Sequence, residues 1–316
     1  MKIYYGLIDN CIDVTHICTI NLINHKNQMY IPSDTKRIQL FKDCMSNLIN
    51  NENEYDNFKI FILLDDNNTV YEYDSSTKIK IDLNNGIITR IPINKKLNDI
   101  HSKLIIKSGD IDNEIPMQIM CIDKIPSHSR VLEIGGHNGR ISLIIASILD
   151  NQNNLVVLES NTTHAEQLKE NRDANNFNFH IDNLALSKRK AIQQGWYIMP
   201  SEQFYKSYEW VNIITFEEIK KKYNMDFDIL VVDCKDNFYY ILKDMPNILD
   251  NIKIIIIKND FYDIYNKKYV DEILIKNKFY IYTVEQANFY NIVIPPEKMS
   301  CYSNYYEVWN KKINLN

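Results

Sequence analysis

Three of the seven glycines in this 316-residue chain fall within five residues, in the string LEIGGHNG that begins at Leu132. Because glycine is rare elsewhere, its concentration at 135–139 marks a place where the backbone turns tightly or is closely approached. An apolar strand is predicted directly before the glycines, at 130–134. Isoleucines and leucines at helical spacing predict a helix after them, over 141–149. A strand, a glycine loop and a helix in this order predict a nucleotide-binding unit.

Strand patterns alternate with helical patterns from residue 129 onward. The segments 227–232 and 252–257 are almost purely aliphatic, which is typical of strands that are covered by helices on both faces. Further strands are predicted at 155–158, 177–181, 279–284 and 305–309. The alternation predicts an α/β domain over 129–316, with a Rossmann-like, doubly wound parallel sheet.

The first part of the chain has a different pattern. Residues 1–87 are predicted to form a small β-rich accessory domain, because short strand patterns alternate with Asn, Asp and Ser turn clusters. These strands are predicted at 2–5, 28–31, 59–64, 69–73 and 78–82. Residues 88–128 are predicted as a helical linker, since Pro116 suits the first turn of a helix over 117–122.

Charge and composition limit the possible partners and the compartment. The formal net charge of −5 argues against a nucleic-acid partner, because such partners require a basic surface. No apolar run approaches the roughly 18–20 residues that span a membrane, and no signal peptide is recognised. We predict a cytoplasmic protein without a membrane partner. The six cysteines lack the spacing of zinc ligands, so we predict free thiols and no metal site.

An acidic residue, Glu133, directly precedes the glycine turn. A carboxylate there would repel a pyrophosphate but attract the ammonium of a methionyl group, which favours S-adenosylmethionine (SAM) over NAD. Gly135, Gly136 and Gly139 would allow the cofactor to approach the backbone. His137 is predicted to contact SAM or to act as a base, unless it is simply a surface histidine.

Further acids follow the next strands. Glu159 ends the second strand, where an acid can accept both ribose hydroxyls. Asp182 follows the third strand and is either an acceptor for the adenine amino group or a turn residue. Asp233 ends the fourth strand, where it is either the catalytic base or a helix N-cap. Lys258 and Asp260, at the end of the fifth strand, are predicted to assist Asp233.

As a set, these motifs resemble the FkbM-type SAM-dependent methyltransferases. The matching strings are LEIGGHNG at 132–139, Glu159, KEN at 169–171, NLALS at 183–187, TFEEI at 215–219 and VDCKD at 232–236. The resemblance implies a SAM-dependent O-methyltransferase that acts on a hydroxyl of a sugar or glycan-like acceptor, and it adds Asn183 to the cofactor-binding residues. Such proteins occur in bacteria and in large DNA viruses, which implies the host cytoplasm if this chain is viral.

Two departures from the family pattern lie on the acceptor side. Lys235 and Asp236 stand where the family has Glu-Gly, and Lys258 stands where a carboxylate is frequent. A catalytically weakened fold that serves as a binding or structural module is therefore an alternative. A third hypothesis is an RNA ribose 2′-O-methyltransferase, because Asp233, Lys258 and Glu285 loosely match three members of its Lys-Asp-Lys-Glu arrangement.

Overall fold

The computed structural model describes residues 1–23, 27–45, 57–64, 69–75, 77–91, 94–285 and 305–312. The chain divides into two compact units, Met1–Asn94 and Lys95–Asn316. Residues 88–128, predicted as a helical linker, are therefore shared between the two units. None of the helices in these described ranges is long and apolar enough to cross a membrane.

The first unit contains two antiparallel sheets, in the strand orders β2-β1-β4-β5 and β3-β6-β7. Its elements are β1 (Lys2–Leu7), β2 (Asn10–Asp13), α1 (Thr15–Asn21), β3 (Gln28–Ile31), α2 (Asp34–Phe41), a 3₁₀ turn (Lys42–Cys44), β4 (Lys59–Leu64), β5 (Thr69–Tyr73), β6 (Lys78–Asp82) and β7 (Ile87–Ile91). The five predicted strands are present. Strands β2 and β7 were not predicted. Strand β2 is largely exposed and has no apolar alternation, and β7 lies at the start of the stretch predicted as a helical linker.

The second unit contains the predicted α/β domain. Its elements are α3 (Lys95–His101), α4 (Ile115–Lys124), β8 (Val131–Ile134), α5 (Arg140–Ile148), a 3₁₀ turn (Gln152–Asn154), β9 (Leu155–Leu158), α6 (Thr162–Ala174), β10 (His180–Asp182), β11 (Ala185–Leu186), β12 (Ala191–Gln194), β13 (Tyr197–Pro200), β14 (Glu209–Val211), β15 (Ile213–Ile214), α7 (Phe216–Tyr223), β16 (Ile229–Val232), α8 (Asn237–Asp244), a 3₁₀ turn (Pro246–Leu249), β17 (Ile254–Lys258), α9 (Ile264–Lys276), β18 (Phe279–Glu285) and β19 (Tyr306–Lys311).

A seven-stranded sheet organises the second unit, in the order β10-β9-β8-β16-β17-β19-β18. All neighbouring strands are parallel except β19, which pairs antiparallel with both β17 and β18. Helices cover both faces. One core joins side chains of α4, α5 and α6 to the sheet, and the other joins side chains of α7, α8 and α9. The predicted doubly wound, Rossmann-like fold is confirmed.

The stretch between β10 and α7 was not predicted in detail. Strand β12 pairs antiparallel with β13 and β14 to form a separate three-stranded sheet, and β11 pairs with β15. These strands are two to four residues long, and several of their side chains are polar or partly exposed. Such short strands give only a weak periodic signal. The third strand of the main sheet begins at His180, later than the predicted 177.

Candidate functional site

The order of the main sheet identifies where a ligand can bind. From β8 the chain continues outward through β9 and β10, and then returns to the other side of β8 with β16 and β17. Ligands of open α/β sheets bind at such a switch point, beyond the carboxyl ends of the strands. The glycine loop follows β8, Glu159 follows β9 and Asp233 follows β16. The topology therefore brings these predicted site residues to one edge.

Gly135 lies where the glycine loop crosses the end of β16. Its φ is +91°, and a Cβ at this position would come within 2.0 Å of the carbonyl oxygen of Asp233. Gly139 has a φ of +94°, and its Cβ would come within 2.5 Å of the Leu168 side chain. Glycine is therefore required at both positions for backbone conformation as well as for space.

We expect Gly135→Ala to lower the free energy of unfolding by about 2–4 kcal/mol, because it combines left-handed backbone strain with a backbone clash. Gly195→Ala is the matched control, since Gly195 has a φ of +56° but a Cβ added there would meet nothing within 4 Å. That control should cost only about 1 kcal/mol. Urea denaturation followed by circular dichroism measures both changes. Equal losses would contradict the proposed clash.

Most backbone N–H groups of the loop already have partners within the protein. Those of Gly135 and Gly136 donate to the carbonyl of Leu158, at 2.9 and 3.0 Å. The N–H of Gly139 donates to the carbonyl of Gly136 at 2.9 Å. A pyrophosphate binds through free amides at such a turn. The loop is therefore poorly suited to a dinucleotide and better suited to a ligand without phosphate.

Glu133 is buried within β8, with 2 % of its surface exposed. Burial raises its pKa to about 8, and the carboxylates of Asp233, Glu159 and Glu114 add to the rise, while the Ser142 hydroxyl opposes it. Its Oε2 accepts no hydrogen bond from the part of the chain that the structure describes. A cationic partner would stabilise the ionised form of a buried carboxyl whose pKa is raised and whose oxygen accepts no hydrogen bond.

The free energy of unfolding should fall by about 1 kcal/mol per pH unit through Glu133 between pH 4.5 and about 8. In this window the unfolded carboxyl has lost its proton while the folded one retains it. The contribution is therefore complete below pH 4.5 and lost above pH 8. Denaturation from pH 5 to 8 should show a smaller decline for Glu133→Gln than for the exposed-site control Glu166→Gln. Parallel declines would contradict the raised pKa.

Glu159 is also nearly buried, with 6 % exposed. Its Oε2 accepts the N–H of His137 at 2.7 Å, and its Oε1 accepts the N–H of Asn161 at 2.8 Å. Burial raises the pKa of Glu159, and these two hydrogen bonds oppose the rise. A carboxylate has about four acceptor positions, so two further hydrogen bonds are possible. Glu133 and Glu159 therefore lie at the predicted edge of the sheet. Their side chains are, however, more buried than side chains that line an open ligand-binding crevice.

The last residue of β10, Asp182, and the residue that follows it, Asn183, have different surroundings. The carboxylate of Asp182 is paired with the ammonium of Lys222, and it accepts the hydroxyl of Tyr223 at 2.9 Å. The Asn183 amide donates to the carbonyls of Glu159 and Ser160, at 2.8 and 3.0 Å. Asn183 therefore positions the backbone beside Glu159. The predicted adenine contact of Asp182 would have to compete with its partners from α7.

The three predicted catalytic residues lie in one network. The ammonium of Lys258 is 3.2 Å from Asp233 Oδ2 and 3.8 Å from Asp260 Oδ2. Burial raises the pKa of Asp233 to about 7, against the effect of Lys258. Burial alone would lower the pKa of Lys258, but the carboxylates of Asp233, Glu114 and Asp260 raise it well above its usual value. The ammonium therefore stays charged.

Sequence reasoning missed three members of this network. Glu114, just before α4, contacts the ammonium of Lys258, and its Oε2 is 3.5 Å from Nη1 of Arg140. Lys235 contacts Asp260 Oδ2 at 2.7 Å. Glu114 and Lys235 both have a positive φ, 60° and 52°. Such backbone conformations are uncommon in residues other than glycine and are concentrated at functional sites.

Asp236, one of the departures from the family pattern, has a structural role. It is 1 % exposed, and it accepts the N–H groups of Tyr262 and Asp263 at 2.8 and 3.1 Å. The Asn266 amide donates to it at 3.0 Å. Asp236 therefore fixes the segment after β17 to the start of α8, and so positions Asp260.

The backbone N–H of His137 and its imidazole ring contact different residues. Its N–H binds Glu159, whereas its ring lies against those of His164 and Trp196. Burial lowers the pKa of His137 to about 3, and the neighbouring Arg140 guanidinium contributes to this. The imidazole is therefore neutral at pH 7 and a poor proton acceptor, so the geometry favours a contact role over a base.

A cavity of about 310 Å³ lies beside the start of α6 and the β12–β14 sheet. Hydroxyl and amide side chains dominate its lining, which also includes Trp210 and one carboxylate, Glu209. Among the lining residues are Ser160 and Asn161, which directly follow Glu159. The cavity therefore adjoins the acid that is predicted to bind a ribose.

Comparison with known proteins gives only distant likenesses. No family model and no curated protein matches the chain. An rRNA methylase from Streptococcus thermophilus is 12 % identical, with a TM-score of 0.39 over 65 % of this chain and 100 % of its own. An O-methyltransferase from Bacillus cereus in complex with SAH is 16 % identical, with a TM-score of 0.36 over 69 % and 90 %. These likenesses transfer no residue role to this chain.

Proposed function

We propose that the second unit binds SAM and transfers its methyl group to a hydroxyl of a sugar-like acceptor. The observation that carries the proposal is the buried carboxyl of Glu133 at the switch point, whose Oε2 accepts no hydrogen bond from any described residue. Its surroundings are rich in negative charge. The carboxyl groups of this cluster are Glu114, Glu133, Glu159, Asp233 and Asp260, and the cationic groups that contact them are Arg140, Lys235 and Lys258.

Burial and the neighbouring carboxylates raise the pKa of Glu133 to about 8, so its carboxyl stays protonated near neutral pH while no cation binds it. A cationic ligand at its Oε2 would favour the ionised form and would in turn be bound by it. The ammonium of SAM would take the Oε2 of Glu133. The ribose hydroxyls would take the remaining acceptor positions of Glu159. The occupied amides of the glycine loop suit a cofactor without phosphate.

When bound, SAM supplies an electrophilic methyl group. The chain's own task is to orient the acceptor and to remove its proton. The carboxyl of Asp233, with a pKa of about 7, is suited to accept a hydroxyl proton near neutral pH. Lys258 holds this carboxyl in position and stabilises its ionised form, whereas Asp260 opposes that ionisation and acts by pairing with the Lys258 ammonium.

The proposal extends to membership of the FkbM-type family. Its support is the ordered set of motifs at 132–139, 159, 169–171, 183–187, 215–219 and 232–236. The sugar-like acceptor follows from the same resemblance, and the amide- and hydroxyl-rich cavity beside Glu159 is compatible with a neutral polar ligand.

A binding module without catalysis is the second candidate. The observation that favours it is the self-contained ion-pair network, in which Lys258 already contacts Glu114, Asp233 and Asp260. Breaking such buried pairs is costly, so an acceptor would have to enter beside them rather than between them. The RNA hypothesis gains less support. Glu285 is exposed and lies two strands away from Lys258, because both pair with Tyr306 from opposite sides.

Two measurements test the proposal. Calorimetric titration with SAM should give saturable binding by the wild type and by Glu166→Gln, and weaker binding by Glu133→Gln. Tritium-labelled SAM, incubated with glycan, lipid and RNA extracts, should label the glycan fraction. Absence of SAM binding would overturn the proposal. Binding without transfer to any fraction would favour the binding module, and labelled RNA would favour the third hypothesis.

A further inference from the structure

The cavity of about 310 Å³ lies at the β9 and β10 end of the main sheet. Part of its lining follows these two strands and includes Ser160 and Asn161 after β9 and Asn183 after β10. The remainder comes from the β12–β14 sheet and its connections, including Gln193 and Trp210. This volume is at the lower end of the roughly 300–1,000 Å³ of small-molecule sites, so the cavity suits one small ligand.

The lining is polar but almost uncharged. Nine of its thirteen residues carry a hydroxyl or an amide side chain, and one, Glu209, carries a carboxylate. The thirteen residues, all in the described part of the chain, include no lysine or arginine, so they offer no counter-charge to a phosphate or a carboxylate. Hydroxyl and amide groups both donate and accept hydrogen bonds, as a ligand with several hydroxyl groups requires. The lining therefore favours an uncharged polyol over an anionic ligand.

Trp210 adds an apolar ring to this polar lining. Its side chain lies on β14 and is about half exposed, at 47 %. The C–H groups on one face of a sugar ring form an apolar surface that packs on an aromatic ring, while the hydroxyls at its edge stay free to form hydrogen bonds. A purine base is apolar on both faces, whereas the lining carries Val211 as its one other apolar side chain. The combination suits a sugar ring better than a base.

Part of the lining is already ordered. The Thr162 hydroxyl donates to Asn183 Oδ1 at 3.0 Å, and the Asn183 amide donates to the carbonyl of Glu159 at 2.8 Å. The amides of Gln194 and Asn212, by contrast, are exposed to solvent. A ligand can therefore exchange water for its own hydroxyl groups at these amides, beside a wall that loses little conformational freedom on binding.

The cavity is separated from the proposed position of methyl transfer. Asp233 follows β16, which lies two strands away from β9 in the main sheet. Neighbouring strands are about 4.8 Å apart, so the β9 side of the cavity is about 10 Å from that position. A single sugar ring does not span this distance. A sugar held in the cavity is therefore not the one that would receive the methyl group.

The β12–β14 sheet connects the two places. Its strand β14 lines the cavity with Trp210, and its strand β13 places the ring of Tyr197 5.5 Å from that of Tyr262. The ammonium of Lys235 lies 5.0 Å from the centre of the Tyr262 ring and contacts Asp260 Oδ2 at 2.7 Å. Several sugar rings laid along this sheet would therefore reach both the cavity and the network of predicted catalytic residues.

We infer that the cavity is a subsite for one uncharged sugar ring, which stacks on Trp210, and that the methylated hydroxyl belongs to another ring of the same glycan. The acceptor is then an oligosaccharide and not a free monosaccharide. The methylation of this glycan rests on the proposed function. The binding of a sugar ring in the cavity does not, because it follows from the lining alone.

Saturation-transfer NMR tests the subsite on the full chain without SAM. The probes are the methyl glycosides of glucose, galactose, mannose and N-acetylglucosamine, with glucuronate and galacturonate as charged comparisons. At least one uncharged glycoside should receive saturation from the protein, and the two charged sugars should receive much less. Trp210→Ala should weaken the binding of that glycoside about tenfold. Trp210→Phe should restore most of it, because phenylalanine keeps a flat ring.

Two further variants separate a sugar site from an apolar patch. Tyr280→Ala is the matched control, because Tyr280 is similarly exposed, at 41 %, but lies on β18 at the opposite end of the main sheet from β10. This control should bind like the wild type. Asn212→Leu should weaken glycoside binding, because it replaces a hydrogen-bonding amide by an apolar group. Tighter binding by Asn212→Leu would contradict the sugar subsite.

The length of the acceptor has its own readout. With tritium-labelled SAM and a size-fractionated glycan extract, label should enter the oligosaccharides and not the monosaccharides. Trp210→Ala should raise KM for the oligosaccharides about tenfold and leave kcat nearly unchanged, because a remote ring is bound equally in the ground state and the transition state. Equal labelling of the monosaccharides would overturn the inference.

The outcomes distinguish this inference from the proposed function. Saturable SAM binding without saturation of any uncharged glycoside would overturn the subsite and leave the proposed function intact. Glycoside binding that Trp210→Ala weakens, without methyl transfer to any fraction, would support the subsite and contradict the enzyme. Adenosine binding should not respond to Trp210→Ala. An equal loss for adenosine would assign the cavity to the cofactor's base and overturn the inference.

Discussion

Replacing Asp233 by asparagine is expected to lower the rate of methyl transfer by a factor of about 10²–10⁴. Asparagine has nearly the same shape but cannot accept the hydroxyl proton of the acceptor. The dissociation constant for SAM should change much less, because Glu133 and Glu159 are unaltered. The measurement is the initial rate with tritium-labelled SAM and the glycan fraction, together with calorimetry for SAM.

The control for this substitution is Asp226→Asn. Asp226 is half exposed and pairs with Lys220 near the opposite end of the same strand, β16. This control should retain the wild-type rate. Thermal unfolding of both variants should be compared, since Asp233 also contacts Lys258 in the interior. A folded Asp233→Asn protein with a nearly normal rate would show that Asp233 is not the base.

Replacing Glu159 by alanine is expected to weaken SAM binding by about ten- to a thousandfold. Each charge-assisted hydrogen bond from a ribose hydroxyl contributes about 1.5–3 kcal/mol. The substitution also removes the acceptor for the N–H groups of His137 and Asn161. Glu159→Gln retains one of these acceptor oxygens, so its loss of affinity should be smaller than that of alanine.

Asp182→Asn provides the comparison on the neighbouring strand. Because the carboxylate of Asp182 already binds Lys222 and Tyr223, its substitution should change the SAM dissociation constant by less than about threefold. Calorimetric titration gives all three constants. If Asp182→Asn were as harmful as Glu159→Ala, the cofactor would contact both acids, which is one of the two roles that the sequence allows for Asp182.

The main strands were predictable because their physical cause is local. Strands β16 and β17 are covered on both faces, so their aliphatic residues follow one another without interruption. No comparable local sequence pattern marks the strands of the β12–β14 sheet. Its strands are short, and its residues mix polar and apolar side chains without a clear period. The position of β19 between β17 and β18 also depends on long-range pairing, which no local pattern encodes.

The candidate site likewise contains residues that the sequence pattern locates and residues that it cannot locate. The glycine loop, Glu159 and Asp233 could be located because each directly follows a predicted strand, and the ends of parallel strands meet at one edge. Glu114 could not, since it is separated from its partner Lys258 by 144 residues. The partners of Asp182 lie 40 and 41 residues further along the chain. Such pairings decide which carboxylates remain available to a ligand, and they exist only in the folded chain.

The placement of β19 has a consequence for biosynthesis. Strand β18 is made before β19, yet β18 joins the main sheet only through β19. Until residues 306–311 have left the ribosome, β17 has an unpaired edge and β18 has no place in the sheet. We therefore expect the nascent second unit to depend on protection from aggregation, and its cooperative folding to follow the synthesis of this strand.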